Sequence, residues 1–476
     1  MRGLVITIAA SAALALIPGG PRAGDDEDLG RIPGEALAEE APPQGTQGEP
    51  PAAEARTPFE RRLFLEGAAT ASPFTRSVPV PYPNGVVVPY QNRTSLDGAL
   101  TFSPVKPLRF VLSDRLNVLE ASDLSFFSSQ TVENDLREAF VSAEIHRNTF
   151  LEVGRVNERN GIALGFNPTD FLKTRTLVGQ SSLDPSVIRE NRLGVLMVRL
   201  ESVFPGGGAS LAFAPKVRAP SPLSEHHPLG VDPRFGATNG MNRAVGTVSL
   251  DLLDLSPELI GYLEPHRQKI GLNVSHGLGS AVVLYGEWAG GRERNLAARA
   301  HDLGVATGTL PPSAPVLPPT TTSTAFLNDL AAGFSLTVGT TATLNLEYHL
   351  HEGGLGGSAF RRWLSAGSSP SAPSFASDEL WYVRGYAADL QEPLARQELF
   401  FRVSFPKTLR HDLDLGAFAF VNLADGSSLS QLSLSYYLSD AWTVSAYLSA
   451  NLGARDSERG SEPASASGIL SIKLYL

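Results

Sequence analysis

Alternation of apolar and polar residues with a period of two recurs from residue 58 to the end of the chain, and it restricts the possible fold more than any other feature. Between residues 341 and 351, the even-numbered positions are apolar or aromatic and the odd-numbered positions are polar or charged. The runs at 398–405 and 443–452 repeat this pattern. Such runs predict β-strands with one apolar and one polar face.

Eighteen segments of this kind can be delimited, and sixteen is the alternative count. The weakest segment, 256–263, is retained because without it the later long loops would fall on the opposite side of the sheet. The predicted strands are 61–70, 94–104, 107–119, 133–146, 149–157, 190–203, 207–217, 241–251, 256–263, 267–277, 280–290, 328–338, 341–351, 397–405, 411–422, 427–438, 441–452 and 465–476.

The lengths of the connections separate a membrane barrel from a soluble β-sandwich, which would show the same alternation. Short turns alternate with long loops, except that the connections around His266 and around Asp425-Gly426 are short where the pattern predicts long ones. The predicted long loops are 71–93, 120–132, 158–189, 218–240, 291–327, 352–396 and 453–464. Periplasmic turns and extracellular loops produce this alternation. We therefore predict an all-β fold, a transmembrane antiparallel β-barrel with both termini in the periplasm.

Composition excludes several other classes of protein. Hydrophobic residues make up 42% of the chain, and no apolar run after the first twenty residues could span a bilayer as a helix. The absence of cysteine excludes disulfides, thiol catalysis and lipoprotein acylation. The net charge of -10 and the lack of a basic domain argue against nucleic-acid binding.

The region before the strands divides into two predicted segments. Residues 1–23 have a basic start, an apolar core and small residues beyond it, as expected of a secretory signal peptide. Residues 24–57 carry nine acidic and two basic residues among many Pro and Ala, which predicts a disordered linker that could reach periplasmic partners. We predict that residues 58–476 form the barrel, in the outer membrane of a Gram-negative bacterium.

Several short motifs resemble those of alginate-export-type and related porin-like outer-membrane barrels. They are Arg137–Val141, Leu151–Arg155, Asn167–Phe171, Ile270–Ser275 and Leu284–Trp288. The resemblance implies a barrel of about this size over residues 58–476.

The strand pattern places charged residues of both signs on the inner face. Mixed charge across a water-filled lumen can order water and screen solutes by size and charge. The alternative is that these residues only solvate the lumen. The predicted pore-lining residues are Arg109, Arg115, Glu138, Glu144, Glu152, Arg199, Glu201, Glu287, Glu347, His349, Arg402, Asp412 and Asp414.

The loop at 158–189 is the predicted constriction, with one alternative. It could fold into the pore and narrow it, or it could cover the rim. Its Asn-Pro-Thr-Asp stretch favours a turn into a short helix, with Thr169 as the cap. The candidate constriction residues are Arg155, Arg159, Asn167, Pro168, Asp170, Lys173 and Arg175.

Metal binding and catalysis have weaker support. Glu347, His349 and His351 share one strand face, but alternate side chains lie roughly 7 Å apart, which is wide for one ion. Polar lumen lining is the favoured interpretation of this row, and of His226 and His227 in a Pro-rich loop. No motif for nucleophilic catalysis or phosphate binding stands out, so we expect neither enzyme activity nor a cofactor.

The sequence thus predicts a channel for passive diffusion of small hydrophilic solutes, with the lipid bilayer and those solutes as its partners. The first alternative is an export pore for an anionic polysaccharide working with periplasmic partners, which basic residues around the constriction would favour. A barrel-embedded hydrolase and a soluble secreted all-β protein are the remaining hypotheses.

Overall fold

The computed structural model describes residues 59–476 apart from 83–88, 122–130, 224–232, 253–254, 266, 340 and 369–373. The predicted signal peptide, the predicted linker and the His226-His227 pair lie outside the described residues.

Eighteen antiparallel strands form one closed sheet, in which each strand pairs with the next along the chain and β18 pairs with β1. The strands are β1 Phe59–Thr75, β2 Tyr90–Val105, β3 Leu108–Ala121, β4 Thr131–His146, β5 Thr149–Val156, β6 Val195–Phe204, β7 Gly207–Ala214, β8 Arg243–Leu250, β9 Glu258–Glu264, β10 Arg267–Leu278, β11 Val282–Glu293, β12 Ala325–Val338, β13 Ala342–His351, β14 Gln397–Arg410, β15 Leu413–Asn422, β16 Ser428–Ser439, β17 Trp442–Leu452 and β18 Ala464–Tyr475.

The predicted eighteen-strand barrel is confirmed, and the alternative of sixteen strands is wrong. The doubtful segment 256–263 corresponds to β9, Glu258–Glu264. The largest boundary errors are five residues, at the ends of β1 and β14 and at the start of β6, which begins at Val195 rather than at residue 190. The preceding residues form a short helix, α1 Pro185–Glu190, whose N-cap Asp184 accepts a hydrogen bond from the Ser186 backbone N–H.

The outer surface of the barrel is an apolar band. Large side chains such as Leu200, Leu272 and Leu448 are 42%, 40% and 61% exposed, whereas the alternate positions facing the lumen are mostly buried and polar. A contiguous exposed apolar surface of this extent requires an apolar solvent, and a bilayer provides one. Among the described helices, none has the length and apolar character needed to cross a membrane.

Helices occupy the long loops at one end of the barrel, where sequence patterns predicted no helix other than a short one after Thr169. Besides α1, they are α2 Phe235–Thr238, α3 Leu296–Ala306, α4 Gly357–Ser368 and α5 Ser374–Leu390. We call α3, α4 and α5 the helical cap. Their apolar faces share one core that contains Leu296, Trp363, Leu380 and Trp381 and extends to Val80 of the β1–β2 loop.

Arg384 of α5 fastens the helical cap to the β17–β18 loop. Its guanidinium lies 5.1 Å from the ring centre of Trp363 and 4.9 Å from that of Trp381, an arrangement that favours a cation. It donates hydrogen bonds to Ser461 Oγ at 2.9 Å and to the Glu458 carbonyl oxygen at 2.7 Å. Four long loops are therefore joined at this end of the barrel.

Candidate functional site

The connection between β5 and β6, residues 157–194, turns into the barrel instead of covering its rim, and we call it the internal loop. Half of its residues are buried, and Thr169 and Asp170 are 0% and 2% exposed. Asn167, Pro168, Lys173 and Arg175 are buried as well. These loop side chains are buried because they contact inward-facing residues of strands on several sides of the lumen.

The two ends of the internal loop are held together where they leave the wall. Gly154 has φ +137°, and a Cβ there would lie 2.3 Å from the Ala139 carbonyl oxygen, so only glycine fits. The next residue, Arg155, is 2% exposed and donates from Nε to the Gly194 carbonyl oxygen at 2.9 Å. Arg192 donates from Nε to Asn157 Oδ1 at 2.8 Å.

Two buried carboxylates on the wall, Glu287 of β11 and Glu347 of β13, accept hydrogen bonds from the first part of the loop. Glu347 accepts hydrogen bonds from the backbone N–H groups of Leu164 at 2.6 Å and Gly165 at 2.9 Å. Glu287 accepts one from the N–H of Ala163 at 3.1 Å. Both glutamates are 0% exposed. Ionised carboxylates are strong acceptors for backbone N–H groups, so the wall fixes the path of the loop.

Thr169 anchors the loop to the wall and does not begin a helix, so the predicted helix at this position is wrong. Its hydroxyl lies 2.7 Å from Glu287 Oε1 and 2.9 Å from Asn273 Oδ1. The following residues form consecutive turns, and the loop becomes helical only at α1. A side chain committed to the barrel wall is not available to cap the N–H groups of a helix.

The second half of the loop reaches strands near the seam where the barrel closes. Ser181 Oγ donates to Glu66 Oε1 on β1 at 2.8 Å. The backbone N–H of Leu183 donates to Gln431 Oε1 on β16 at 3.1 Å, and Asp184 accepts from Arg402 Nε on β14 at 2.9 Å. The loop therefore crosses the lumen and is tied on both sides of it.

Opposite charges within the loop compensate one another. Arg192 holds Asp170 with two hydrogen bonds of 2.8 and 3.1 Å, and both side chains are about 2% exposed. Lys173 donates to the Asn167 carbonyl oxygen at 2.7 Å and lies 4.6 Å from the ring centre of Phe166. Burial lowers the pKa of Lys173 to about 8, although nearby carboxylates oppose that shift.

The internal loop is also tied to the segment that carries the helical cap. Arg175 donates to Asp389 Oδ2 at 2.9 Å, and Gln391 Nε2 donates to the Lys173 carbonyl oxygen at 2.8 Å. Burial raises the pKa of Asp389, and Arg175 partly offsets this effect. The loop and the cap therefore form one connected body inside and above the lumen.

A group of acids surrounds Arg199 near the start of the loop. Arg199 lies 3.0 Å from Glu152 and from Glu158, and 2.9 Å from Glu201. Burial raises the pKa of Glu158 to about 7, because the single guanidinium does not compensate for burial and for the neighbouring acids. Glu158 was not among the predicted site residues, although it begins the predicted loop.

Buried ion-pair networks on the wall were missed by the sequence analysis. In the first network, Arg115 lies 2.6 Å from Glu66 and 3.3 Å from Asp97, and Arg137 lies 2.6 Å from Asp97. Glu66, Asp97 and Arg115 occupy inward positions of predicted strands, so period-two alternation could have identified them. Arg137 lies at a β-bulge, and the alternation that predicted Glu138 as inward places Arg137 on the outer face. Only Arg115 was included, because the sequence does not show which inward charges meet across strands.

A second network joins the wall to the base of the helical cap. Lys269 lies 2.6 Å from Glu293 and 2.7 Å from Asp329, and Arg299 of α3 lies 2.5 Å from Glu392. Burial favours a raised pKa for Glu392, but Arg299 and Arg267 outweigh it and hold that pKa well below its ordinary range. The partners of some of these pairs are more than ninety residues apart in the sequence, so no local sequence pattern predicts that they meet.

Several predicted pore-lining residues lie away from the internal loop. Glu144 accepts a hydrogen bond from the Asn148 N–H at the β4–β5 turn, and Asp414 accepts one from the Lys407 N–H at the β14–β15 turn. Asp412 pairs with Arg410 at 2.6 Å in that same turn. Arg109 is exposed beside the β2–β3 turn. These residues lie at the short-turn end and do not join the cluster around the loop.

The remaining predicted residues lie close to the loop or contact it. Glu138 accepts a hydrogen bond from the Asn157 N–H at 3.2 Å, and Arg159 is exposed. His349 lies 2.8 Å from Glu347, and His351 lies 2.7 Å from Asp329. Within the described part of the chain, no group of three or more His, Cys, Asp or Glu residues is arranged to hold a metal ion.

Comparisons with known proteins give structural matches only. No family model and no curated protein sequence matches the chain. The structure is similar to that of OccK5 (OpdH) from Pseudomonas aeruginosa, with a TM-score of 0.51 and 10% identity over 88% of this chain and 98% of that one. It is also similar to OccAB3 from Acinetobacter baumannii, with a TM-score of 0.49 and 11% identity over 88% of this chain and 99% of that one.

A further match from Pseudomonas aeruginosa, OccK8 (OprE), has a TM-score of 0.49 and 9% identity, and covers 88% of this chain and 98% of that one. At these identities, the likeness to OccK5 concerns the fold. The narrower resemblance to alginate-export-type barrels is not supported by these matches. The chain is thus a porin-like barrel of eighteen antiparallel strands, with a loop fixed across its lumen.

Proposed function

We propose that the chain is an outer-membrane channel through which small hydrophilic solutes diffuse passively. The observation that carries this proposal is the internal loop, which is tied to Glu347 on one side of the lumen and to Gln431 on another. A loop fixed in this way narrows a water-filled barrel without requiring an energy source. The apolar outer band supports insertion into a bilayer.

Selectivity in this proposal arises from both size and charge. The internal loop reduces the open cross-section, and the group in which three acids share the single guanidinium of Arg199 creates an electrostatic field in the remaining space. The predicted pore-lining residues that contact the loop, such as Glu287, Glu347 and Arg402, act here by positioning it.

Export of an anionic polysaccharide was expected to require basic residues around the constriction. Arg175 and Arg192 are engaged with Asp389 and Asp170, so their charges are locally compensated. The described residues therefore offer no observation that favours this function over passive diffusion of small solutes. Periplasmic partners reached through residues 24–57 remain a prediction from the sequence.

Planar-bilayer recordings of the purified full-length protein test the proposal. We expect discrete conductance steps, together with the heat-dependent shift in gel mobility that is characteristic of folded membrane barrels. Liposome swelling should show uptake of small sugars or amino acids with a sharp size limit. A folded barrel that gives neither conductance nor swelling would contradict the proposed channel while leaving the fold unaffected.

A further inference from the structure

Asp114 places a carboxylate in the middle of the lipid-facing surface. It belongs to a 14-residue strand, β3, and lies between Leu112 and Leu116 on the same face. Leu112 is 46% exposed, whereas the intervening Ser113 and Arg115 are 7% and 5% exposed inside the lumen. Successive strand side chains point to opposite faces, so Asp114 points outward with the leucines.

The strands beside Asp114 provide a small recess and a polar neighbour. Gly98 of β2 lies directly opposite it, and a Cβ there would have Leu63 as its nearest contact, at 3.5 Å. On β4, Asn134 lies opposite Leu116 and therefore faces outward as well. The Asn134 amide donates to Asp114 Oδ1 at 3.3 Å. We call Asp114 and Asn134 the polar patch.

The polar patch differs from the central, outward-facing positions of other strands, which are apolar. Leucines such as Leu200, Leu272 and Leu448 occupy central outward positions on other described strands. An acidic group that faces hydrocarbon is unfavourable unless it is neutralised or hydrogen-bonded. The Asp114 carboxylate also accepts a hydrogen bond from the Arg115 backbone N–H. A carboxylate offers about four acceptor sites, so these two bonds leave it with acceptor capacity, and the second amide hydrogen of Asn134 has no partner within the pair.

We propose that the polar patch is the interface at which a second copy of this chain docks within the membrane. A two-fold axis through the patch would place the second amide hydrogen of each Asn134 against the carboxylate of Asp114 in the other copy, which retains acceptor capacity. Each copy supplies one donor and one acceptor, so the patch is self-complementary. Polar side chains join membrane segments through such bonds, and the recess at Gly98 permits close approach. This dimer requires only that the barrel span a bilayer, and it is independent of the proposed channel activity.

Cysteine cross-linking tests the position of the interface, because the natural sequence contains no cysteine. We would introduce Leu112→Cys beside the patch and Leu272→Cys on the opposite wall, two positions of similar exposure. A short bis-maleimide applied to native outer membranes should produce a band of twice the monomer mass for Leu112→Cys only. No such band, an equal band from both variants, or a band containing a different protein would overturn the proposal.

Substitution of the polar patch tests its role in association. In detergent, Asp114→Leu and Asn134→Leu should each raise the dissociation constant of the dimer about tenfold, as measured by light scattering after gel filtration. Both variants should retain the heat-dependent gel shift of a folded monomer. His276→Leu, on the outward face of β10, is the matched control and should leave association unchanged. Dimers that persist in both patch variants, or wild-type protein that is monomeric throughout, would overturn the proposal.

Discussion

The Thr169 hydroxyl donates to Glu287 Oε1 at 2.7 Å, which joins the middle of the internal loop to β11. The two residues are 118 positions apart in the sequence, and both are 0% exposed. The loop leaves the wall after β5 and returns at β6, so this contact lies on a different part of the barrel from its ends. The width of the lumen therefore depends on a few buried hydrogen bonds.

Replacement of Glu287 by Gln should loosen the internal loop. The amide group would present a nitrogen donor to Ala163 N–H or Thr169 O–H, both of which donate to the carboxylate. Loss of one buried hydrogen bond to a charged group costs about 1.5–3 kcal/mol. We expect a larger and noisier single-channel conductance in planar bilayers. Glu144→Gln at the β4–β5 turn is the control, and equal conductance in both variants would contradict this prediction.

A methyl group at Gly165 should displace the loop from β13 and β14. A Cβ at this position would lie 2.6 Å from the Phe400 ring and 2.7 Å from the His349 ring. Both rings are buried, so relief requires movement of the backbone. Gly165→Ala should lower the midpoint of thermal unfolding and alter conductance. Gly261→Ala, where a Cβ would meet nothing within 4 Å, should do neither; similar behaviour of the two variants would refute the packing argument.

Asp170→Asn should destabilise the loop strongly, because Arg192 would keep its buried charge without the carboxylate that balances it. Breaking one partner of a buried ion pair costs about 3–5 kcal/mol. Asp412→Asn removes the acid of a pair in which Arg410 is 60% exposed, and the effect there should be small because water screens the charges. Urea unfolding followed by tryptophan fluorescence would measure both effects. A larger loss in Asp412→Asn would contradict the assignment of Asp170.

The charge of the lumen should change near neutral pH through Glu158. Its pKa is raised from 4.5 to about 7 by burial and by the surrounding acids, against the attraction of Arg199. As pH rises through 7, Glu158 ionises, so cation selectivity should increase between about pH 6 and 8. Reversal potentials measured across a salt gradient would show this change, and Glu158→Gln should abolish it. An unchanged pH dependence in that variant would assign the titration to another group.

The same pKa shift has a consequence for stability. Because the folded barrel holds the Glu158 proton more tightly than the unfolded chain, the contribution of this group to stability is greatest at low pH. It falls as pH rises from 4.5 to about 7 and then levels off. Glu158→Gln should reduce the loss of stability over this pH range, which thermal unfolding at several pH values would measure.

The strand pattern could be predicted because it depends on local alternation. Each predicted strand matches one strand of the barrel, and even the weak segment at 256–263 corresponds to β9. The helices of the cap were missed, since α4 and α5 bury aromatic residues such as Trp363 and Trp381 against other loops. Their stability depends on that shared core, which does not exist until the barrel brings the loops together.

The sequence by itself determined the closed antiparallel sheet, a strand number of eighteen or sixteen, and the general alternation of short turns with long loops, because period two and turn composition are local properties. Only the tertiary structure decided where the loop at 157–194 goes. Thr169 could have capped a helix, and Glu287 could have remained a solvated lumen residue. The two meet because closure of the barrel places β11 across from the ends of the loop, and burying two polar groups together is favourable when each satisfies the other.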